Sequence, residues 1–357
     1  MEKEKKSKIK KILVNLTIFI LLIILTFSLV LKDQDVSQIF SVAAKVKKQY
    51  ILFAVLAMSI YILGEAVNIT RILKELGEKS KLISNIRYTL IGFFFSAITP
   101  AASGGQPMEI YYMHKDDISV ANSTLALLMQ LCSLQIVTIT VGTISAVIHF
   151  EVLKSGLIYL LILGIILNSS ALMLLIIAIF SKKLSEGLIK LAVKLLKFFR
   201  IPNVEKKQEK LEKELESYQT SAKYIKEHKI LMLKTVITTV IQMIAYYSVP
   251  YWIYLAFGLT EYNIFEILTL QAVLYATVSG IPSPGAVGVS EGGFLGIFRN
   301  VFPETIISSA MLLTRGANFY LFIIISAIIV MISTFREKKI EKKQMQETEV
   351  LTEKSEK

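Results

Sequence analysis

The fold is decided by a stretch near the middle of the chain, LIYLLILGIILNSSALMLLIIAIF (Leu157–Phe180), in which no side chain is charged. An α-helix needs about 20 such residues to cross a hydrocarbon core of roughly 30 Å. Five further apolar stretches of similar length, each with at most one charged residue, are Ile12–Leu31, Ile51–Ile69, Leu125–Phe150, Ile230–Phe257 and Met311–Thr334. The sequence therefore predicts an all-α fold, a polytopic membrane helix bundle with about six full spans.

The composition of the chain agrees with this prediction. Of its 357 residues, 54% are hydrophobic and 19% are charged, whereas a soluble domain is about 25% charged. The net charge of +12 is also found in nucleic-acid-binding proteins. Here, however, the basic residues lie between and outside the spans, where the cytoplasmic loops of membrane proteins carry them. We therefore expect no nucleic-acid partner.

The N-terminus resembles a signal peptide, because six lysines precede a hydrophobic run. That run is about 20 residues long rather than the roughly 7–15 of a signal peptide, and no convincing cleavage site follows it. We expect a retained first helix that starts in the cytoplasm. The next segment, Lys32–Tyr50, mixes apolar and polar residues and predicts a short interfacial helix.

Two basic segments set the predicted orientation. One follows the second span, and the other is the loop Ser181–Lys229, which holds thirteen Lys or Arg against seven Glu. Positive charge gathers on cytoplasmic loops, so we expect both segments and both termini in the cytoplasm. The middle of the loop, Val204–Tyr218, predicts a solvated helix. We expect one transmembrane domain over 1–337, including the loop at 181–229, and a charged tail over 338–357.

The two cytoplasmic segments require an even number of crossings between them, yet three apolar runs lie there. The shortest run, Ile86–Ile98, is followed by TPAASGGQP (Thr99–Pro107). Prolines remove backbone donors and glycines permit close backbone approach, so this run should break and turn back. We predict that Ile86–Met113 is a re-entrant hairpin.

The same argument applies downstream. The run Phe265–Ser279 must begin and end on the outer side, and it breaks at GIPSPGAVG (Gly280–Gly288) before it resumes. A second hairpin, Phe265–Phe298, entering from the opposite face, satisfies the charge pattern. In both hairpins a proline precedes a glutamate by nine positions, a spacing that an inverted repeat or chance would produce. The alternative for each hairpin is a simple loop between two ordinary helices.

The broken segments are the candidate functional site. Unpaired backbone groups are costly in lipid, so a break survives at depth only inside protein or beside water. A break also exposes a helix N-terminus, which favours an anion such as phosphate, and paired Gly/Pro-interrupted segments are typical of transporter sites. The candidate lipid-binding residues are Pro100, Gly104, Gly105, Gln106, Pro107, Glu109, Pro282, Pro284, Gly285, Gly288, Glu291 and Arg315.

Ionisable residues inside the apolar stretches mark either a pathway or a paired structural lock, because intramembrane charges are expensive. Arg315 is a candidate both for a lipid-phosphate contact and for a pair with a glutamate. Glu65 and Arg71 lie nearer the cytoplasmic surface, where solvated roles are favoured. Tyrosines at positions 111–112 and 246–254 indicate interfacial anchors, with a headgroup-cavity lining as the alternative.

The sequence contains no recognisable catalytic or metal signature. We find no Walker loop, HExxH, G-x-S-x-G or Rossmann fingerprint. The three histidines share no metal-like spacing, and the single cysteine, Cys132, is expected to be an apolar filler. We therefore expect no catalytic residue, no metal and no cofactor.

The two broken segments, TPAASGGQPMEIYYM (Thr99–Met113) and GIPSPGAVGVSEGGF (Gly280–Phe294), resemble the signatures of a known family. This is the lysylphosphatidylglycerol synthase transmembrane region, a flippase-like membrane family, and the resemblance covers about Leu13 to Thr334. The residues that match the family pattern are Gly104, Gly105, Pro107, Pro284, Gly285, Gly288, Glu291 and Arg315.

The chain departs from the family pattern at three polar positions. Many members have an acid after the paired glycines and a basic residue shortly later, where this chain has Gln106 and Glu109. Gln130 also stands where many relatives have Glu. These departures put in doubt any charge chemistry transferred from the family.

The resemblance implies a lipid flippase or transporter of the bacterial cell membrane, involved in lipid metabolism and antibiotic resistance. It would move an anionic or aminoacylated phospholipid, such as lysylphosphatidylglycerol, or a related lipid between leaflets, so membrane phospholipid is its expected partner. One alternative is a phosphatidylglycerol lysyltransferase, against which the missing synthase domain argues. The other is a membrane scaffold that docks a cytoplasmic protein through 181–229.

Overall fold

The computed structural model describes residues 36–99, 102–150, 157–181, 204–281 and 283–334, with Thr17 and five residues between 183 and 194. Within these ranges the chain is helical and has no strand, so the predicted all-α class is confirmed. The predicted first span, Ile12–Leu31, apart from Thr17, and the tail at 338–357 lie outside the described residues.

The described helices follow one another in chain order. Helices α1 to α6 are Val36–Ala44, Lys48–Glu75, Leu82–Ile98, Gly105–Lys115, Val120–Ile148 and Leu157–Phe180. Helices α7 to α11 are Val204–Glu227, Lys229–Ala256, Ile264–Val278, Val289–Ile297 and Ile307–Arg315. A 3₁₀ turn, Pro284–Ala286, precedes α10, and a π-helical turn, Gly316–Tyr320, continues α11 as far as Thr334.

Five helices are long and apolar enough to cross a membrane: Lys48–Glu75, Val120–Ile148, Ile158–Phe180, Lys229–Ala256 and Ile307–Thr334. They coincide with five of the six predicted spans. Large apolar side chains are exposed along them, among them Ile144, Met173, Ile241 and Ile328. A membrane supplies apolar surroundings for such a surface, and the predicted polytopic bundle is confirmed.

Local capping explains where two of the helices begin. At α9, Asn263 Oδ1 accepts from Glu266 N at 3.1 Å, and Glu266 Oε2 accepts from Asn263 N at 2.8 Å. This capping box satisfies two backbone donors that the first turn leaves unpaired. At α5, Ser119 Oγ accepts from Asn122 N at 3.4 Å.

An antiparallel pair of helices, α2 and α8, forms the centre of the bundle. At one end Lys47 N donates to Ala256 O at 3.0 Å. At the other end Arg71 Nη1 donates to Lys234 O at 3.0 Å. Between them Tyr61 contacts an aromatic ring of α8 at a centroid distance of 5.2 Å. The residue numbers of these partners increase along α2 while they decrease along α8. The two helices therefore run in opposite directions along their whole length.

Two sets of helices follow the same order: long helix, short helix, break, short helix, long helix. The first set, α2 to α5, has 28, 17, 11 and 29 residues. The second, α8 to α11 with its continuation, has 28, 15, 9 and 28. A glycine with positive φ, Gly77 or Gly258, follows each first helix. Since α2 and α8 are antiparallel, the first helices of the two sets run in opposite directions, as an inverted repeat requires.

Each pair of short helices folds back as a hairpin, with α3 packed on α4 and α9 on α10. At 1.5 Å per residue these helices are about 14–26 Å long, less than the roughly 30 Å that a crossing requires. The hairpins predicted at Ile86–Met113 and Phe265–Phe298 are therefore confirmed as broken helices. They start at opposite ends of the bundle, because the ends of α2 and α8 point in opposite directions.

The loop helix is longer than predicted. Helix α7 includes Val204–Tyr218 but continues to Glu227, and its C-terminal half packs on the bundle. Tyr218 Oη donates to Ala178 O at 2.9 Å, and Ile225 is almost completely buried. The prediction rested on the strongly charged first half of α7, whereas the docking is made by the less charged second half, which has one buried face.

Candidate functional site between the broken helices

A side-chain hydrogen bond spans the first break, between α3 and α4. Thr99 Oγ1 accepts a hydrogen bond from Gly104 N at 2.9 Å. At Gly105, the first residue of α4, an added Cβ would overlap Ser96 Oγ and lie 2.9 Å from Gly92 O. Gly105 therefore permits close packing of the two arms of the hairpin.

The second break, between α9 and α10, contains two glycines with positive φ. Gly285 has φ 58, and a Cβ there would overlap the ring of Phe319, so glycine is required. Gly288, with φ 87, precedes α10, and its N–H donates to Glu291 Oε2 at 2.7 Å. A carboxylate of the chain itself thus occupies the helix N-terminus that was expected to face an anionic ligand.

Glu291 is fully buried at the centre of a polar cluster. Its Oε1 accepts from Arg315 Nε at 2.8 Å and from Tyr320 Oη at 3.0 Å. Arg315 Nη2 also donates to Gly285 O at 3.1 Å, and the guanidinium carbon lies 4.0 Å from the centroid of the Phe319 ring. Of the two expectations for Arg315, the structure contains the pair with a glutamate, and this pair holds the second break in place.

A cavity of about 300 Å³ lies between the two breaks, and we call it the arginine cavity. The first hairpin contributes Ser96 and Ala102, and the second contributes Ser279 to Ile281 with Gly285. Arg315 also lines it. Its remaining lining residues are Met58, Tyr61, Phe93, Ala97, Tyr246, Tyr275, Val278, Ser283, Ala286, Ser290, Asn318 and Phe319. The hairpins, although they start at opposite ends of the bundle, thus meet at one site.

A second cavity, of about 670 Å³, shares a wall with the first, and we call it the carboxylate cavity. The shared residues are Tyr61, Phe93, Ser96, Ala102, Tyr275 and Ser279. Glu65 on α2 and Glu109 on α4 face it, together with the amides of Gln106, Gln130 and Gln135. Among its described lining residues there is no Lys, Arg or His. The two adjoining cavities therefore differ in charge.

Glu109 is the most enclosed of these acids, with 3% of its surface exposed. Its Oε2 is buried and has no hydrogen-bond partner in the part of the chain that the structure describes. The side chain lies over Gly92, where an added Cβ would be 2.5 Å from Glu109 Cδ. Glu65 was expected in a solvated position, and the structure places it, partly buried, in the wall of the same cavity as Glu109.

The structure distributes the other predicted residues around the two cavities. Gly285 and Arg315 line the arginine cavity, while Gln106 and Glu109 line the carboxylate cavity. The residues that shape the breaks without lining either cavity are Gly104, Gly105, Pro107, Pro284, Gly288 and Glu291. Pro100 and Pro282 lie outside the described residues.

Sequence reasoning placed several tyrosines at the membrane interface that the structure places inside. Tyr247 is completely buried, and Tyr246 lines the arginine cavity with Tyr61 and Tyr275. Tyr246 therefore lines a cavity, and the headgroup role that the alternative gave it stays a prediction. A polar ring within an apolar span was the available signal, but the same pattern is found at helix ends.

A family model described as the lysylphosphatidylglycerol synthase TM region matches residues 12–326. The chain belongs to this family. The two motifs that carried the resemblance, Thr99–Met113 and Gly280–Phe294, form the two breaks of this family member. A comparison with curated protein sequences finds no match.

Proposed function

We propose that this membrane protein moves a phospholipid or a related lipid between the leaflets of a bacterial cell membrane. An anionic or aminoacylated headgroup would pass between the opposed hairpins while the acyl chains stay in the bilayer. The observation that carries the proposal is the arginine cavity, which both hairpins line and in which Arg315 is the one cation among the described lining residues. The family itself implies contact with membrane lipid.

The chemistry of Arg315 suits a phosphate ligand. A guanidinium has five N–H donors in a planar fork that matches phosphate oxygens. The bonds to Glu291 and Gly285 use the Nε–H and one Nη2 hydrogen, which leaves donors for a ligand on the cavity side. The cavity also offers the hydroxyl groups of Ser96, Ser279 and other residues. A headgroup bound there would touch both hairpins at once.

The proposal is tested by lipid translocation in reconstituted vesicles that contain fluorescent phosphatidylglycerol. We expect Arg315→Gln to weaken headgroup binding about 10- to 150-fold, because a charge-assisted hydrogen bond contributes about 1.5–3 kcal/mol. Arg315→Lys should lose less, since it keeps the charge. Arg299→Gln, which removes an exposed arginine, is the control and should translocate like the wild type.

The pair with Glu291 complicates this test, because Arg315→Gln also strands a buried carboxylate. The double variant Glu291→Gln/Arg315→Gln removes both charges and should recover stability. If it also recovers translocation, Arg315 is only a structural lock and the proposed phosphate contact is wrong. If wild-type protein moves no lipid at all, the proposed function itself fails.

We also propose that both termini and the loop at 181–229 face the cytoplasm. The end of the bundle where α2 ends and α8 begins is basic, with Lys74, Lys79, Lys229 and Lys234. Exposed positions Ser217 and Thr260 can carry single cysteines, since the native Cys132 is buried. An impermeant thiol reagent should label Thr260→Cys in intact cells and Ser217→Cys only after lysis. The reverse labelling pattern would show that the chain has the opposite orientation in the membrane.

A further inference from the structure

The carboxylate cavity contains an acidic pair that lacks an internal counter-charge. Glu109 is almost fully buried and Glu65 is partly buried, and the other described residues that line the cavity are neutral: amides, hydroxyls and apolar groups. A buried carboxylate without a cation or donors is unfavourable unless it is neutralised. The described chain gives Glu109 neither, so the neutralising group has to come from the cavity.

Few titratable groups face the carboxylate cavity from the helices packed around it. The titratable groups that face it are Glu65 and Tyr61 on α2, Glu109 on α4 and Tyr275 on α9. Helices α3, α5 and α6 contribute amides, hydroxyls and apolar groups in the described ranges. The nearest cavity-lining cation, Arg315, lies in the adjoining cavity and is paired with Glu291.

The size of the neutralising group follows from the burial of Glu109. Its unpartnered Oε2 has almost no accessible surface, although the cavity beside it holds about 670 Å³. An ammonium group or a hydrated metal ion that bound the other carboxyl oxygen, Oε1, would still leave Oε2 without a partner. A proton needs little room, because it binds as an O–H on the carboxyl group itself. The enclosure of the oxygen thus favours a proton.

We infer that Glu109, assisted by Glu65, binds an exchangeable proton whose release and uptake are coupled to lipid movement. The coupling rests on the proposed function, whereas the proton site does not. The shared wall between the cavities gives the coupling a route, since movement of the first hairpin by a headgroup would change the surroundings of Glu109. Only an O–H bond forms or breaks, and the proton is exchanged with water in the cavity.

The proton site is tested on purified protein without any transport assay. Infrared difference spectra at neutral pH should contain the C=O stretch of a protonated carboxyl group in the wild type, and Glu109→Gln should lack that band. Glu291→Gln is the matched comparison and should keep the band, because Glu291 is paired with Arg315. Glu304→Gln should also keep it, because Glu304 is exposed and remote in sequence from the cavity residues, and it provides a second folded variant. A band that Glu109→Gln leaves unchanged would overturn the inference.

The coupling is tested in vesicles that carry an imposed pH gradient. One proton per lipid would change the ratio of lipid between leaflets about tenfold per pH unit. We expect this response from the wild type and from the exposed control Glu304→Gln, but not from Glu109→Gln. Lipid movement that ignores the pH gradient would overturn the coupling and leave the proposed function intact. A response to a sodium gradient instead would overturn the assignment of the proton. No lipid movement at all would overturn the proposed function and the coupling together, and the infrared test would still decide the proton site.

Discussion

The two hairpins place a glutamate at the same distance from a proline and give it opposite surroundings. Glu291 accepts hydrogen bonds from Arg315, Tyr320 and the N–H of Gly288. Glu109 has a buried oxygen with no partner in the described ranges. The role of an intramembrane acid in this chain therefore depends on the helix packed against it, and not on its distance from the preceding proline.

The difference originates in the last helix of each set. Helix α11 provides a cation to the second hairpin through Arg315. Helix α5 provides the amide of Gln130, which accepts from Asn68 Nδ2 at 2.9 Å and donates to Gln242 Oε1 at 3.3 Å. In the described part of the chain no hydrogen bond joins Gln130 to Glu109, so this amide does not compensate the carboxylate. The second glutamate is therefore locked, and the first is left for an exchangeable group.

The largest expected effect separates the two acids by stability. Glu291→Gln leaves Arg315 as an uncompensated buried cation and should destabilise the protein by about 3–5 kcal/mol. Glu109→Gln removes no partner that the described chain provides and should cost less than about 1 kcal/mol. Thermal unfolding of both variants in detergent measures the difference. Equal destabilisation would contradict the conclusion that only Glu291 has a partner within the protein.

A second test concerns the glycines that shape the breaks. Gly105→Ala and Gly285→Ala each insert a methyl group into occupied space, and Gly285 also has a positive φ. Each should cost about 1–3 kcal/mol. Gly292→Ala in α10 is the control, because nothing lies within 4 Å of its added Cβ and alanine favours a helix. Unfolding midpoints should fall for the first two variants and stay or rise for the third. A normal midpoint for Gly285→Ala would contradict the packing against Phe319.

The smallest expected effect converts the first hairpin towards the second. Gln106→Lys places an ammonium one turn before Glu109, on a residue that lines the same cavity. Such a pair contributes only about 0.2–0.5 kcal/mol to helix stability. It should nevertheless weaken the protonated-carboxyl infrared band, because a cation in the same cavity favours the charged form of Glu109 even without direct contact. Gln106→Met keeps the length without the charge and should keep the band. A band of undiminished intensity in Gln106→Lys would show that Glu109 is not available to a nearby cation.

The apolar stretches by themselves determined the class of the protein and most of its spans. A hydrocarbon core demands about 20 apolar residues, and this demand is written directly in composition and length. The breaks at Thr99–Pro107 and Gly280–Gly288 were also predictable, because proline and glycine act on the backbone locally. Charge parity then indicated that the two hairpins enter from opposite sides. The spans and the breaks were predictable because each depends on residues that are neighbours in the sequence.

Pairing across the bundle was decided only by the tertiary structure. From the sequence alone, Arg315 could contact either a lipid phosphate or a glutamate, and Glu65 was predicted to lie near solvent. The arginine cavity and the carboxylate cavity lie where the two hairpins meet, and α2 and other long helices complete their walls. Whether a buried charge is locked or exchangeable depends on which side chain lies within about 3 Å of it, and residues 24 positions apart, such as Glu291 and Arg315, reach that distance only after the helices pack.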